Sequence, residues 1–143
     1  MDVVGRFLSA VVAGEVDVVR SIYHPEAVVW HSDDGVEQSV DQNLAVLSWM
    51  AANLPGFGYD NVRRHPIPGG VVEQHDTLIP LPGTDETLVM HACLVIQVDG
   101  DGRVTRLDEY LDGKAVERLV AADRVRGVGA MTPAAAAETG VSR

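Results

Sequence analysis

Between Gly70 and Asp112 the chain carries three extended runs in succession, Gly70 to Leu81, Thr87 to Val98 and Arg103 to Asp112, with only turn residues between them. Strands joined by such short connections must pair antiparallel, because a parallel return needs a crossover of a dozen residues or more. Asp99-Gly100-Asp101-Gly102 is the clearest of the turns, since Gly and Asp tolerate the positive φ that tight hairpins require. A less regular run from Phe57 to Ile67 adds a further strand. The second half of the chain is therefore read as an antiparallel meander.

The first half has the helical period instead. Val4, Phe7, Leu8 and Val11 recur at helical spacing, and Val19, Ile22 and Tyr23 do so after a break at Gly14. His24-Pro25 ends the second helix, and Ala27 to Ser32 reads as a short strand closed by Asp33-Asp34-Gly35. Ser39 is placed to cap a third helix with a stripe of Leu44, Leu47, Met50, Ala51 and Leu54, stopped by Pro55-Gly56. A short helix around Val116, Leu119 and Val120 follows the last strand. Helices first and a meander after them give an α+β architecture rather than alternating βαβ units. Residues 1–126 are expected to form the domain, and 127–143, rich in Ala, Gly and Thr without an apolar period, a loose or disordered tail.

Hairpin arithmetic indicates which side chains share a face. With Gly100-Asp101 as a two-residue turn, Ala92 faces Glu109 and Leu94 faces Leu107. With the preceding loop centred near Gly83-Thr84-Asp85, Asp76 lies beside Ala92 and Gln74 beside Leu94. One face then reads Val72, Gln74, Asp76, Leu78, Met90, Ala92, Leu94, Ile96, Leu107, Glu109 and Leu111, and the other Glu73, His75, Thr77, His91, Cys93, Arg106, Asp108 and Tyr110. The helices are expected to cover the first face, because burying it removes mostly apolar area from water. A carboxylate in an apolar hollow either finds a partner or is pushed toward neutrality, where it becomes a usable proton-transfer group. Glu109 and Asp76 are the candidates on that argument. A one-residue bulge would exchange His75 for Asp76 on the inner face, so His75 stays a candidate, and His91 joins it as a histidine near a candidate acid. Trp30, Tyr23, Gln74, Met90 and Leu107 are the candidate substrate-binding residues, whereas Trp49 and Cys93 read as core.

Tyr23 to Gly35 (YHPEAVVWHSDDG) and Val98 to Asp112 (VDGDGRVTRLDEYLD), with the leading helical pair, resemble the SnoaL-like branch of the nuclear transport factor 2 superfamily, which includes polyketide cyclases. The sequence is also similar to the limonene-epoxide-hydrolase and ketosteroid-isomerase relatives of that branch, over about Val4 to Val120. The resemblance implies a cone-shaped sheet covered by helices around a pocket, with a carboxylate of the closing strand at Glu109. It also implies that the epoxide-hydrolase set falls on Asp76, Gln74, Glu109, Trp30 and Ser32. Gln74 cannot supply the fixed charge of the arginine in that set, which argues against simple epoxide hydrolysis. The expected activity is a cofactor-independent acid–base cyclase or isomerase acting on a small hydrophobic polyketide, aromatic or terpenoid intermediate of secondary metabolism. An epoxide-opening enzyme and a non-catalytic small-molecule-binding or dimerisation domain are the alternatives.

Composition narrows the partners. A formal charge of -10 repels phosphate backbones and anionic membranes, so neither nucleic acid nor lipid is expected. The single cysteine, Cys93, has no partner for an intramolecular disulfide, and His24, His31, His65, His75 and His91 form no metal motif, so no metal is expected. The apolar start MDVVGRFLSAVVAG has an acid at Asp2 and no basic n-region, so it reads as helix rather than signal peptide, and a cytoplasmic location is expected. The mixed outer face of the sheet, with Thr77, Cys93, Val95 and Tyr110, is where the resemblance places a homodimer contact.

Overall fold

Asp2 opens the first helix, α1 (Val3–Ala13), by accepting the Gly5 N–H at 2.7 Å, which satisfies one of the donors a helix start leaves free. In this computed structural model, which describes residues 2–126 and their side chains as far as residue 121, α1 ends at Gly14, whose φ of 71° is the left-handed cap geometry that glycine adopts without strain. The other elements are α2 (Val16–Ile22), β1 (Tyr23–His31), β2 (Glu37–Gln38), α3 (Val40–Asn53), β3 (Gly58–Ile67), β4 (Gly70–Pro80), β5 (Thr87–Val98), β6 (Val104–Leu111) and α4 (Gly113–Arg126). The expected cap of α3 is a full capping box, with Ser39 and Gln42 each bonded to the other's backbone N–H. The tail expected over 127–143 lies outside the described residues.

The strands form one mixed sheet in the order β2-β1-β6-β5-β4-β3, in which β1 runs parallel to β6 and the other neighbours are antiparallel. Helices cover one face, giving the α+β cone expected from the sequence. Two apolar clusters fill it. The larger joins Phe7, Leu8 and Val19 of the leading helices to Val29, Leu94, Ile96 and Leu107 of the sheet. The smaller joins Leu54, Ile79, Leu88 and Met90 to Ala115 and Leu119 of α4. Each fully buried Leu, Ile, Val or Phe contributes roughly 1.5–3 kcal/mol, so covering this face drives the fold. At Gly70 the backbones approach so closely that a Cβ would lie 2.0 Å from the Ile96 carbonyl oxygen, which explains glycine at the start of β4.

The observed registers correct the hairpin arithmetic in two ways. Across β5 and β6, Leu94 faces Glu109, Ala92 faces Leu111 and Ile96 faces Leu107, because residues 99–103 make a longer turn than two residues. That is a slip of two, so each residue keeps its face. Across β4 and β5, His75 faces Ala92, Gln74 faces Cys93 and Asp76 faces His91. Here the slip is of one residue, because the connection spans residues 81–86 between the paired Pro80 and Thr87 rather than an odd loop. A one-residue slip reverses a whole strand. Glu73, His75, Thr77 and Ile79 therefore point inward and are buried, while Val72, Gln74, Asp76 and Leu78 point outward.

Candidate functional site

Parallel pairing of β1 with β6 sets His31 directly beside Glu109. His31 Nε2 lies 3.3 Å from Glu109 Oε1, and the two side chains are 17% and 16% exposed, enough to meet a ligand while largely shielded from water. Both line a cavity of about 120 Å³ whose walls are mostly apolar: Val46, Leu47 and Met50 of α3, Phe57, Ile79 and Met90 of the strand side, and Val116 and Leu119 of α4. A smaller space of about 50 Å³ lies against the same pair and is lined by Tyr23, Tyr59 and Leu107 among others.

A chain of buried polar groups reaches the pair from behind. Tyr23 Oη donates to Asn43 Oδ1 at 2.8 Å, Asn43 Nδ2 donates to Gln38 Oε1 at 3.3 Å, and Gln38 Nε2 lies 3.2 Å from His31 Nδ1. Tyr23, Gln38 and Asn43 are each buried, so these bonds replace water that the groups have lost. With Gln38 donating, His31 Nδ1 is the acceptor and the ring proton sits on Nε2, the nitrogen beside Glu109.

Charge around the pair is uneven. Burial pulls the His31 pKa down, but the hydrogen bond and charge of Glu109, with Asp33 and Asp34 behind it, outweigh burial and raise it above 6.5. Burial and the neighbouring Asp34 raise the Asp33 carboxyl, which also lines the cavity. Tyr23 and Tyr59 are held protonated, by burial first and by the negative charge of Glu109 next. A histidine whose pKa is raised by folding stabilises the native state fully below pH 6.5, and that share is lost as pH rises through its folded midpoint. The His31 ring should accordingly titrate above 6.5 by NMR. The stability difference in urea between the protein and a His31→Gln variant should shrink as pH climbs through that midpoint. A His31 midpoint below 6.5 would contradict the electrostatics described here.

Several expected site residues lie elsewhere. Asp76 faces outward, where Asn61 at 2.8 Å and His91 Nδ1 at 2.6 Å hold its carboxyl below the usual range. His91 belongs to that surface pair, with its side chain 76% exposed. Gln74 is outside too, bonded to His65 at 3.2 Å. Trp30 alternates to the outer face, edge-on to Tyr110 at 5.2 Å, because Ala27, Val29 and His31 take the inner positions of β1. These four therefore do not reach the cavity. Glu109, Met90, Leu107 and Tyr23 do line it or its smaller neighbour. Thr77, expected outside, also lines the cavity.

His75 is inside but lines neither space. Its Nδ1 is 2.7 Å from Glu73 Oε1, Glu73 Oε2 takes Arg64 Nε at 2.5 Å, and the ring stacks on Tyr59 with centroids 4.2 Å apart. Buried Glu73 and His75, with the partly exposed Arg64, back the Tyr59 side of the cavity. Sequence reasoning missed His31, Gln38, Asn43 and Tyr59. The alternation of Ala27 and Val29 was the available signal for His31, whereas the two amides carry no local pattern that marks them.

No protein-family model and no curated protein matches the sequence. Solved structures do match in fold. A protein named as a SnoaL-like polyketide cyclase from Shewanella denitrificans aligns with TM-score 0.71 at 12% identity, over 81% of this chain and 92% of its own. PrhC from Penicillium brasilianum aligns with TM-score 0.76 at 8% identity, over 92% and 90%. IdmH from Streptomyces antibioticus, named as a polyketide cyclase, aligns with TM-score 0.71 at 16% identity, over 83% and 96%. Similarity at these identities establishes the shared fold: this is a nuclear transport factor 2-like cone, with SnoaL-like proteins among its structural neighbours. Among the described residues no helix is long and apolar enough to cross a membrane.

Proposed function

We propose that the protein is an acid–base cyclase or isomerase acting on a small hydrophobic substrate, with His31 and Glu109 as its proton-transfer pair. The observation that carries this reading is an imidazole and a carboxylate 3.3 Å apart on the wall of a mostly apolar cavity. Glu109 is the acceptor of a substrate proton and the Nε2–H of His31 its donor partner. Proton transfer by positioned groups contributes about 10²–10⁴-fold to a rate. The apolar walls hold the substrate folded and keep water away from reactive carbon, which supports cyclisation or isomerisation over hydrolysis. The epoxide-hydrolase reading loses three of its positions, since Asp76, Gln74 and Trp30 lie on the outer face.

Size sets a bound on what enters. An engineered cavity of about 150 Å³ takes up benzene. The space beside the pair, about 120 Å³, therefore suits one ring or a short branched chain, with the rest of a larger skeleton left toward the mouth. The outer face, with Trp30 against a half-exposed Tyr110, is our proposed homodimer contact.

The test is isotopic. Substrate recovered part-way through a reaction in deuterium oxide should carry deuterium at the carbon from which Glu109 removes the proton, and His31→Gln should slow that exchange together with turnover. Ligand retention without exchange or turnover would instead identify a binding domain.

A further inference from the structure

The polar chain behind the pair has two self-consistent arrangements and no others. A primary amide has a donor end and an acceptor end. If Gln38 presents its NH₂ to His31 Nδ1, its oxygen must accept from Asn43, whose own oxygen then accepts from the Tyr23 hydroxyl, and this is the observed arrangement. It suits a neutral ring protonated on Nε2. When Nδ1 also carries a proton, the NH₂ of Gln38 meets a second donor at 3.2 Å, a contact that must break or turn over. Turning Gln38 alone sets its NH₂ against that of Asn43, so Asn43 must turn as well. The chain can end there, because a tyrosine hydroxyl accepts as readily as it donates.

We infer that Gln38 and Asn43 are positioning residues of the His31–Glu109 pair, whose amides turn over together as His31 gains or loses its Nδ1 proton, keeping Nδ1 hydrogen-bonded in either state. The inference rests on the proposed role of the pair for its importance to catalysis, but its test needs no substrate. A buried charged donor left without an acceptor costs more than a neutral acceptor left without a donor. The reversible chain removes that cost from the charged state, so the pair can cycle a proton through a desolvated ring. The ionisable groups facing His31 are Glu109 from β6, Asp33 and Asp34 from the turn after β1, Tyr23 from β1 itself and Tyr59 from β3. None of them stands where Gln38 does, at Nδ1.

The experiment is an NMR titration of the full chain. The side-chain amide resonances of Gln38 and Asn43 should shift with the same midpoint as the His31 ring. In Gln38→Leu the charged ring loses its acceptor, so the His31 midpoint should fall by about one unit, equivalent to about 1.4 kcal/mol. Asn43→Leu should lower it by less, and Gln38→Met serves should the leucine variant fail to fold. A rise on removing Gln38 would overturn the inference, because it would mean that this amide serves only the neutral ring. Amide resonances that stay fixed while His31 titrates would overturn it too. With a substrate in hand, the His31-dependent limb of the kcat profile should move down with the midpoint. A limb that stays in place while the NMR midpoint moves would instead count against the pair as the proton-transfer site.

Discussion

Glu109→Gln should lower kcat by about 10²–10⁴-fold with little change in KM, the range expected when a proton-transfer group is replaced by one that cannot transfer a proton. Glutamine has nearly the same shape, and its oxygen can still accept from His31 Nε2 across the 3.3 Å contact, so the cavity should keep its form. What disappears is the carboxylate that takes the proton in the proposed mechanism and the charge that supports the imidazolium. The His31 midpoint should consequently drop, because burial opposes the charged ring and Asp33 and Asp34 alone remain to favour it. The two readouts are independent. A fall in kcat without a fall in the midpoint would mean that the pair is not electrostatically joined. A fall in the midpoint with full turnover would remove Glu109 from the chemistry.

The second large effect concerns stability. Glu73 is fully buried between Arg64 at 2.5 Å and His75 at 2.7 Å, and His75 is the surface on which Tyr59 stacks. Breaking a buried ion pair from one side strands its partners and costs about 3–5 kcal/mol. Arg64 is partly exposed and can turn to water, which places Glu73→Ala near the lower end of that range. Each 1 kcal/mol moves Tm by about 4 °C in a domain of this size, so the transition should fall by roughly 10 °C or more. Thermal and urea unfolding of the variant measure this directly. A Tm within a degree or two of the parent protein would show that Glu73 holds nothing in place.

The sequence carried the architecture because its periods are unambiguous: β5 spans Thr87–Val98 as its alternation and flanking turns predict. The inward face of Glu109 was also legible, for a reason peculiar to sheets. The misjudged turn at residues 99–103 shifted β6 by two, and a shift of two leaves each side chain where it was. The same error by one at residues 81–86 exchanged Glu73 and His75 for Gln74 and Asp76. Turn length is set by how loop residues pack and bond, as in Thr84 Oγ1 donating to the Leu81 carbonyl at 2.8 Å, and composition alone does not count it. Trp30 is the larger side chain, but alternation along β1, with Ala27 and Val29 inside, assigns the inner position to His31. Gln38 and Asn43 acquire meaning only from one another, across a strand and a helix.

His31 and Glu109, the proposed proton-transfer pair, come from the first and last strands and meet through the only parallel ladder among the described residues. Adjacent hairpins can zip locally, but this seam closes only after the loop between the first strand and the last has been ordered, an entropic cost that delays it during folding. A partly assembled molecule could thus possess most of its sheet while its acid and its imidazole are still apart. On the proposed mechanism, catalytic competence would then arrive late and all at once, reporting on the finished domain rather than on any piece of it.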